Sequence, residues 1–186
     1  MRVKNRWRKG KGPKTIEDQS NALGFIVWQI SSNALLELEN KQYQTDSNSH
    51  RLDVIEEFAC FLIQCTDRLA YERMDDEKRQ TFINTIAIKV AKTLQENRLD
   101  VQGAEDFVNP FIEKLNARFS TYSECQFADD EPGYSLYRAL GNFVQPIMGE
   151  RNNRWVSDQV LDIEGPDAFD VLKKSMDNLL NDGALF

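Results

Sequence analysis

The sequence predicts an all-α protein: one helical-bundle domain of six or seven helices over residues 15–186, preceded by a basic, flexible arm at 1–14. Three observations lead there. Apolar residues recur at three- and four-residue steps through most of the chain, the period of one face of an α-helix. No segment sustains the apolar/polar alternation of a half-buried strand, and no internal repeat stands out. The nine glycines and five prolines fall mostly at the edges of the periodic segments, which is too little punctuation for a turn-rich β protein.

The elements follow in order. The first helix starts at "TIED", where Thr15 caps and Asp18 answers it, and carries Ile16, Leu23, Ile26, Val27, Ile30, Leu35 and Leu38 on its apolar face. The polar run "NKQYQTDSNSH" is a loop. A second helix runs from about Ser49 to Arg73 with Leu52, Ile55, Phe58, Leu62, Cys65 and Leu69 on one side. A break at "MDDEKRQ" supplies Asp75 or Asp76 as the cap of a third helix, built on Phe82, Ile86, Val90 and Leu94. The fourth begins near Gly103 or at Asn109-Pro110, since proline suits a first turn, and continues to Tyr122. "SECQFADDEPG" is the longest stretch without periodicity and reads as an exposed loop. A fifth helix follows from Tyr134 to Ile147, then a short one over Trp155–Leu161 and a last one from Pro166 to Leu180.

At 186 residues the chain is long enough to bury about 70% of its extended surface. Its charge is unevenly divided. The first fourteen residues hold seven Lys/Arg and no acid, so with −7 overall the remainder carries −14. Such a body repels nucleic acid and anionic lipid, and an anionic partner has to meet the arm. The three cysteines, Cys60, Cys65 and Cys125, are odd in number and form no CxxC; buried reduced thiols in a reducing compartment are expected. The apolar run "ALGFIVWQI" after the basic start is too short and too polar in its flanks to be a membrane span or a signal sequence, which points to the cytoplasm.

Motifs for chemistry are missing. The single histidine, His50, has Ser47 three residues before it, so the Glu-x-x-His of a di-iron bundle does not occur. Neither zinc-ligand spacing nor a phosphate loop or nucleophile elbow is found. A cysteine nucleophile paired with His50 would lack an electropositive setting. The acids Asp129-Asp130-Glu131 lack the alternation and glycine of a calcium loop and read as a dipole-friendly lead into helix five. No enzyme and no cofactor are expected.

Three features are left as candidates. On the second helix Glu57, Cys60, Gln64, Asp67 and Tyr71 form a polar stripe beside the apolar face, with Arg68, Arg73 or Arg138 as partners; this is either an amphipathic boundary or a polar pocket for a small ligand, for which Glu57, Gln64, Asp67, Tyr71 and Arg138 are the candidates. Arg151, Arg154 and Trp155 bring two guanidiniums beside an indole, a combination enriched at protein interfaces. In the arm, an extended chain sets Arg2, Lys4, Arg6 and Arg8 on one side and Val3 and Trp7 on the other, followed by Lys9, an arrangement suited to phosphates or an anionic membrane surface. The preferred expectation is a non-catalytic protein–protein interaction or regulatory module, whose partner is another protein or a second copy in a homodimer. A small-ligand-binding bundle and an arm-mediated nucleic-acid or membrane binder are the alternatives.

Overall fold

In the computed structural model, which describes residues 15–148 and 155–181, the helices begin where capping side chains stand. Helix α1 (Ile16–Asn40) opens with a reciprocal pair: the Thr15 hydroxyl accepts from the Asp18 amide at 3.1 Å, and the Asp18 carboxylate accepts from the Thr15 amide at 3.2 Å. Helix α2 (Asn48–Tyr71) is capped by Ser47, which accepts from the His50 amide at 3.2 Å. Helix α3 (Asp76–Gln102) starts from Asp75 and ends at Gly103, whose φ of 91° is a left-handed conformation that only glycine adopts without strain. Helix α4 (Val108–Ser123) has no capping bond from its own cap residue, Phe107; the Asp106 carboxylate instead accepts from the Val108 and Asn109 amides. Helix α5 (Tyr134–Val144) tightens into a 3₁₀ turn at Gln145–Met148.

The architecture is an all-α bundle of six α-helices among the described residues, and it corrects the sequence reading in three places. "SECQFADDEPG" is not wholly irregular: Phe127–Ala128 (β1) pairs antiparallel with Glu131–Pro132 (β2). Asp129 and Asp130 join them with φ of 54° and 58°, the double left-handed step of a tight hairpin turn. Strands two residues long are too short to leave a periodic trace.

The second correction concerns the C-terminal segment, where two separate helices were expected. Residues 155–159 instead run through a π-helical turn, Val160–Glu164, directly into α6 (Gly165–Asn181). The Gly165 amide reaches back to the Val160 carbonyl, and the extra residue in that turn gives the ring of Pro166, which has no N–H to donate, room to continue the helix. Glycine is required at 165, because a Cβ there would lie 2.8 Å from the Val160 carbonyl and 2.9 Å from the Tyr137 ring.

The third is the status of α2. An amphipathic helix was expected, yet every residue from Val54 to Thr66 is buried. It is the central helix, in contact with α1, α3, α4, α5 and α6. Its Phe58 and Phe61 pack with Trp28 of α1, Phe82 of α3, Phe111 and Tyr122 of α4 and Phe169 of α6 in one apolar cluster. Burying each such large side chain contributes roughly 1.5–3 kcal/mol, so the position of α2 is the strongest constraint in the fold. Thr66 donates to the Leu62 carbonyl of its own helix, but a longer polar or charged side chain on α2 must find a partner from a neighbouring helix or open onto a cleft.

Candidate functional site

The polar residues of α2 divide between those two outcomes. In its N-terminal half, Glu56 and Glu57 are 5% and 1% exposed and meet cations from α3 and α4. Arg98 donates to Glu56 Oε1 at 2.8 Å through Nε and to Asp53 Oδ1 at 2.6 Å. Lys114 bonds Glu56 and lies 3.7 Å from Glu57. Arg118 grips Glu57 with both ends of its fork, Nε to Oε2 at 2.7 Å and a terminal nitrogen to Oε1 at 2.9 Å. Three carboxylates thus face three cations, so the set is neutral and internally satisfied. Burial is the largest single influence on Lys114 and works against its charge, but Glu56 and Glu57 together outweigh it and raise the pKa above the ordinary lysine value.

Beside this cluster the reactive-looking groups are sealed. Burial first, and then Glu57, pushes the Cys60 thiol well up; burial does the same to Cys65 and to the Tyr122 phenol. Thiols held in that way are poor nucleophiles. His50 and Cys60 lie ten residues apart on α2; at ~1.5 Å rise per residue the axial separation is about 15 Å, so they do not form a pair.

In its C-terminal half α2 opens onto a groove of about 750 Å³. Gln64, Asp67, Arg68, Tyr71 and Glu72 form one wall, Arg79 of α3 and Phe119 and Ser123 of α4 the ends, and hairpin residues 127–130 the other wall. Tyr71 is 65% exposed at the mouth, with the Arg79 guanidinium 5.2 Å from its ring centroid. Arg79 also donates to Asp67 Oδ1 at 2.7 Å, and Arg68 ties α2 to α4 by donating to the Ser123 carbonyl at 3.1 Å. Across the groove, Arg73 holds Asp130 at 3.3 Å and Asp177 of α6 at 2.5 Å, while Lys173 donates to the Asp130 carbonyl at 3.0 Å. Those bonds fix the hairpin against α6.

Three polar side chains on the groove stay unmatched. Gln64 is 3% exposed, lines the cavity, and its amide has no hydrogen-bond partner among the described residues. The carboxylates of Glu72 and Asp129 likewise make no ion pair, although Arg68, four residues before Glu72 and bonded only to a carbonyl, lines the same groove.

Of the residues expected to act together, Gln64, Asp67 and Tyr71 share this groove. Glu57 does not; it belongs to the buried ion cluster. Arg138 is exposed on α5 and neither lines the groove nor pairs with Glu57. The reason is helical phase: α5 buries Leu136 and Leu140, and a residue two positions from each points to the opposite side. The partner of Glu57 is Arg118, and the signal for it was Lys114 and Arg118 at a four-residue spacing on α4, one face of positive charge. Arg79, Phe119 and the hairpin acids were not read as site residues, because only tertiary packing brings them to α2. Trp155 is 59% exposed, while Arg151 and Arg154, and the arm residues Arg2, Lys4, Arg6, Trp7, Arg8 and Lys9, lie outside the described residues.

Among the described residues no group of His, Cys, Asp or Glu side chains is arranged to hold a metal ion, and no helix is long and apolar enough to cross a membrane. No family model, curated protein or solved structure matches this chain, and the groove has to be interpreted by its own chemistry.

Proposed function

We propose that the chain is a non-catalytic binding module that receives a segment of another protein in the groove between α2 and the hairpin. The groove and its exposed aromatic rim carry the reading. The Gln64 amide makes no hydrogen bond within the described residues and reaches the groove, where an occupant's backbone or side-chain amide can bond it in place of water. Tyr71 supports it by offering a large, rigid aromatic face at the mouth, the kind of side chain that anchors interfaces. Glu72 and Asp129 add a preference of charge: an occupant bringing Lys or Arg pairs with them, while Arg68 and Arg79 on the same lining temper the selectivity.

One observation favours a second reading. The volume of about 750 Å³ falls among sites that enclose small molecules, so a compact cationic ligand also fits the chemistry. The groove opens to solvent beside the exposed Tyr71 ring, which suits a docked segment, and the peptide is the preferred occupant.

Selection of random peptides on the full chain tests this. The expected ligands carry basic residues, bind in a salt-sensitive manner, and lose ~10-fold or more in affinity to Tyr71→Ala without any change in thermal unfolding. Peptides that bind Tyr71→Ala and the parent equally well, or no peptide binding at all, would refute it.

A further inference from the structure

We infer that the segment received in the groove is extended and joins the hairpin as a third strand, along the edge of β1 that faces α2. The inference rests on the groove being a peptide-binding site and adds the backbone conformation and the bonding by which the occupant is held.

The register of the hairpin fixes which of its backbone groups are free. Phe127 stands opposite Pro132 and Ala128 opposite Glu131, and the Gly133 amide donates to the Gln126 carbonyl at 2.8 Å. Backbone groups of successive strand residues point to opposite edges, so Gln126 and Ala128 turn toward β2 while the Phe127 amide and carbonyl turn away from it. Neither of these two Phe127 groups bonds another described residue. The groove lies on that edge: Phe127, Ala128, Asp129 and Asp130 line it, and neither residue of β2 does. An unpaired strand edge is a template for another extended chain. Because β1 is two residues long, its edge offers one residue for pairing, and Gln64 on the α2 wall supplies the other side. The Gln64 amide both donates and accepts, so an extended chain lying between the walls bonds Phe127 through one residue and Gln64 through the next. The edge is in place before anything binds. Phe127 packs edge-on against Phe169 of α6, with ring centroids 6.1 Å apart, and Arg73 and Lys173 anchor Asp130.

Charge sets the composition of the occupant. The lining carries four acids, Asp67, Glu72, Asp129 and Asp130, and two cations, Arg68 and Arg79. Asp67 is taken by Arg79, and Asp130 by Arg73. Glu72 and Asp129 are left against Arg68, whose printed bond is to the Ser123 carbonyl. The fitting strand therefore carries a small excess of basic over acidic side chains, and a strongly basic one meets Arg68 and Arg79 unfavourably.

The test uses the isotope-labelled full chain and selected peptides whose binding depends on Tyr71. Saturation with such a peptide should slow solvent exchange of the Phe127 amide proton, read by NMR, at least ~10-fold, and leave the Ala128 amide, already turned to Glu131, unchanged. Replacing the peptide's amides one at a time by N-methyl amides should cost ~10-fold or more in affinity at two adjacent residues, one facing Phe127 and one facing Gln64. In Gln64→Leu one of those two penalties should shrink. A Tyr71-dependent peptide that leaves Phe127 exchange unchanged, tolerates N-methylation at every position or binds as a helix overturns the strand arrangement and leaves the groove's binding function standing. Two penalties indifferent to Gln64→Leu also overturn it, because the chain then does not bridge the walls. If no Tyr71-dependent peptide exists, the binding function fails and the strand arrangement with it.

Discussion

Arg118 holds the buried carboxylate of Glu57 in a two-pronged grip, at 2.7 and 2.9 Å, with its guanidinium carbon 3.7 Å from the centroid of the Phe143 ring. This pair joins α4 to α2 and lays α5 against the other face of the same guanidinium. Removing Arg118 alone leaves a carboxylate that is 1% exposed, with only Lys114 nearby at 3.7 Å. Arg118→Ala should therefore cost about 3 kcal/mol in chemical denaturation. Combining Arg118→Met with Glu57→Gln removes both charges and should recover more than half of that loss. A double variant as unstable as the single one would show that packing against Phe143, and not the stranded charge, is what matters.

Thiol accessibility separates the cysteines. Cys60 and Cys65 are fully buried with thiols pushed well up, whereas Cys125 is partly exposed beside the hairpin. A chromogenic disulfide reagent at mildly alkaline pH should titrate one thiol per native chain rapidly and the other two only on unfolding. Cys125→Ser should abolish the fast phase. Rapid reaction of two or three thiols would mean that α2 is not sealed as the structure has it.

Gln64 is expected to serve binding more than stability. Gln64→Leu keeps the volume and removes an amide that bonds no described residue and reaches the groove, so it should change the unfolding free energy by less than about 1 kcal/mol. The same variant should bind selected groove peptides more weakly. If it is destabilised by more than that, the amide is satisfied in the native protein and the case for the groove is lost.

The pH limits follow from two kinds of group. Asp75, bonded to the Lys78 side chain and then to its backbone amide, has its pKa lowered, as does Asp106, bonded to Asn109. Depressed acids contribute stability that is present above the ordinary aspartate value, about 3.9, and lost as pH falls below it. Lys114 is raised, burial being outweighed by Glu56 and Glu57 together, so its contribution is present below the ordinary lysine value, about 10.4, and lost as pH climbs past its native one. Melting temperature should thus be level from about pH 5 to 9 and drop on both sides. For Lys114→Met the alkaline drop should be smaller; an unchanged alkaline limb would assign it to other groups.

Much of the helical layout is readable from local rules. Thr15 with Asp18, Ser47 and Asp75 announce helix starts because a capping side chain answers amides three residues away, an interaction wholly contained in one short stretch. Half of the groove is readable in the same way, since Gln64, Asp67 and Tyr71 recur on one face of α2 by helical period alone. What periodicity does not convey is which face meets which neighbour. Glu57 and Gln64 look alike as members of one stripe, yet the first is matched by Arg118 and the second opens onto a cavity.

The order of apolar and polar residues was therefore enough to establish an all-α body, the capped starts of its first three helices and the segregation of seven cations into residues 1–14, because each depends on interactions within a few residues. Three-dimensional packing decided the rest. It made α2 central, turned Asp129 and Asp130 into the corner of a hairpin, straightened the passage from 155 to Gly165 through a π turn, and set Arg79, Phe119 and the hairpin acids around Gln64. Those outcomes depend on contacts between residues as far apart in the chain as Arg73 and Asp177, and sequence spacing alone carries no information about such distances.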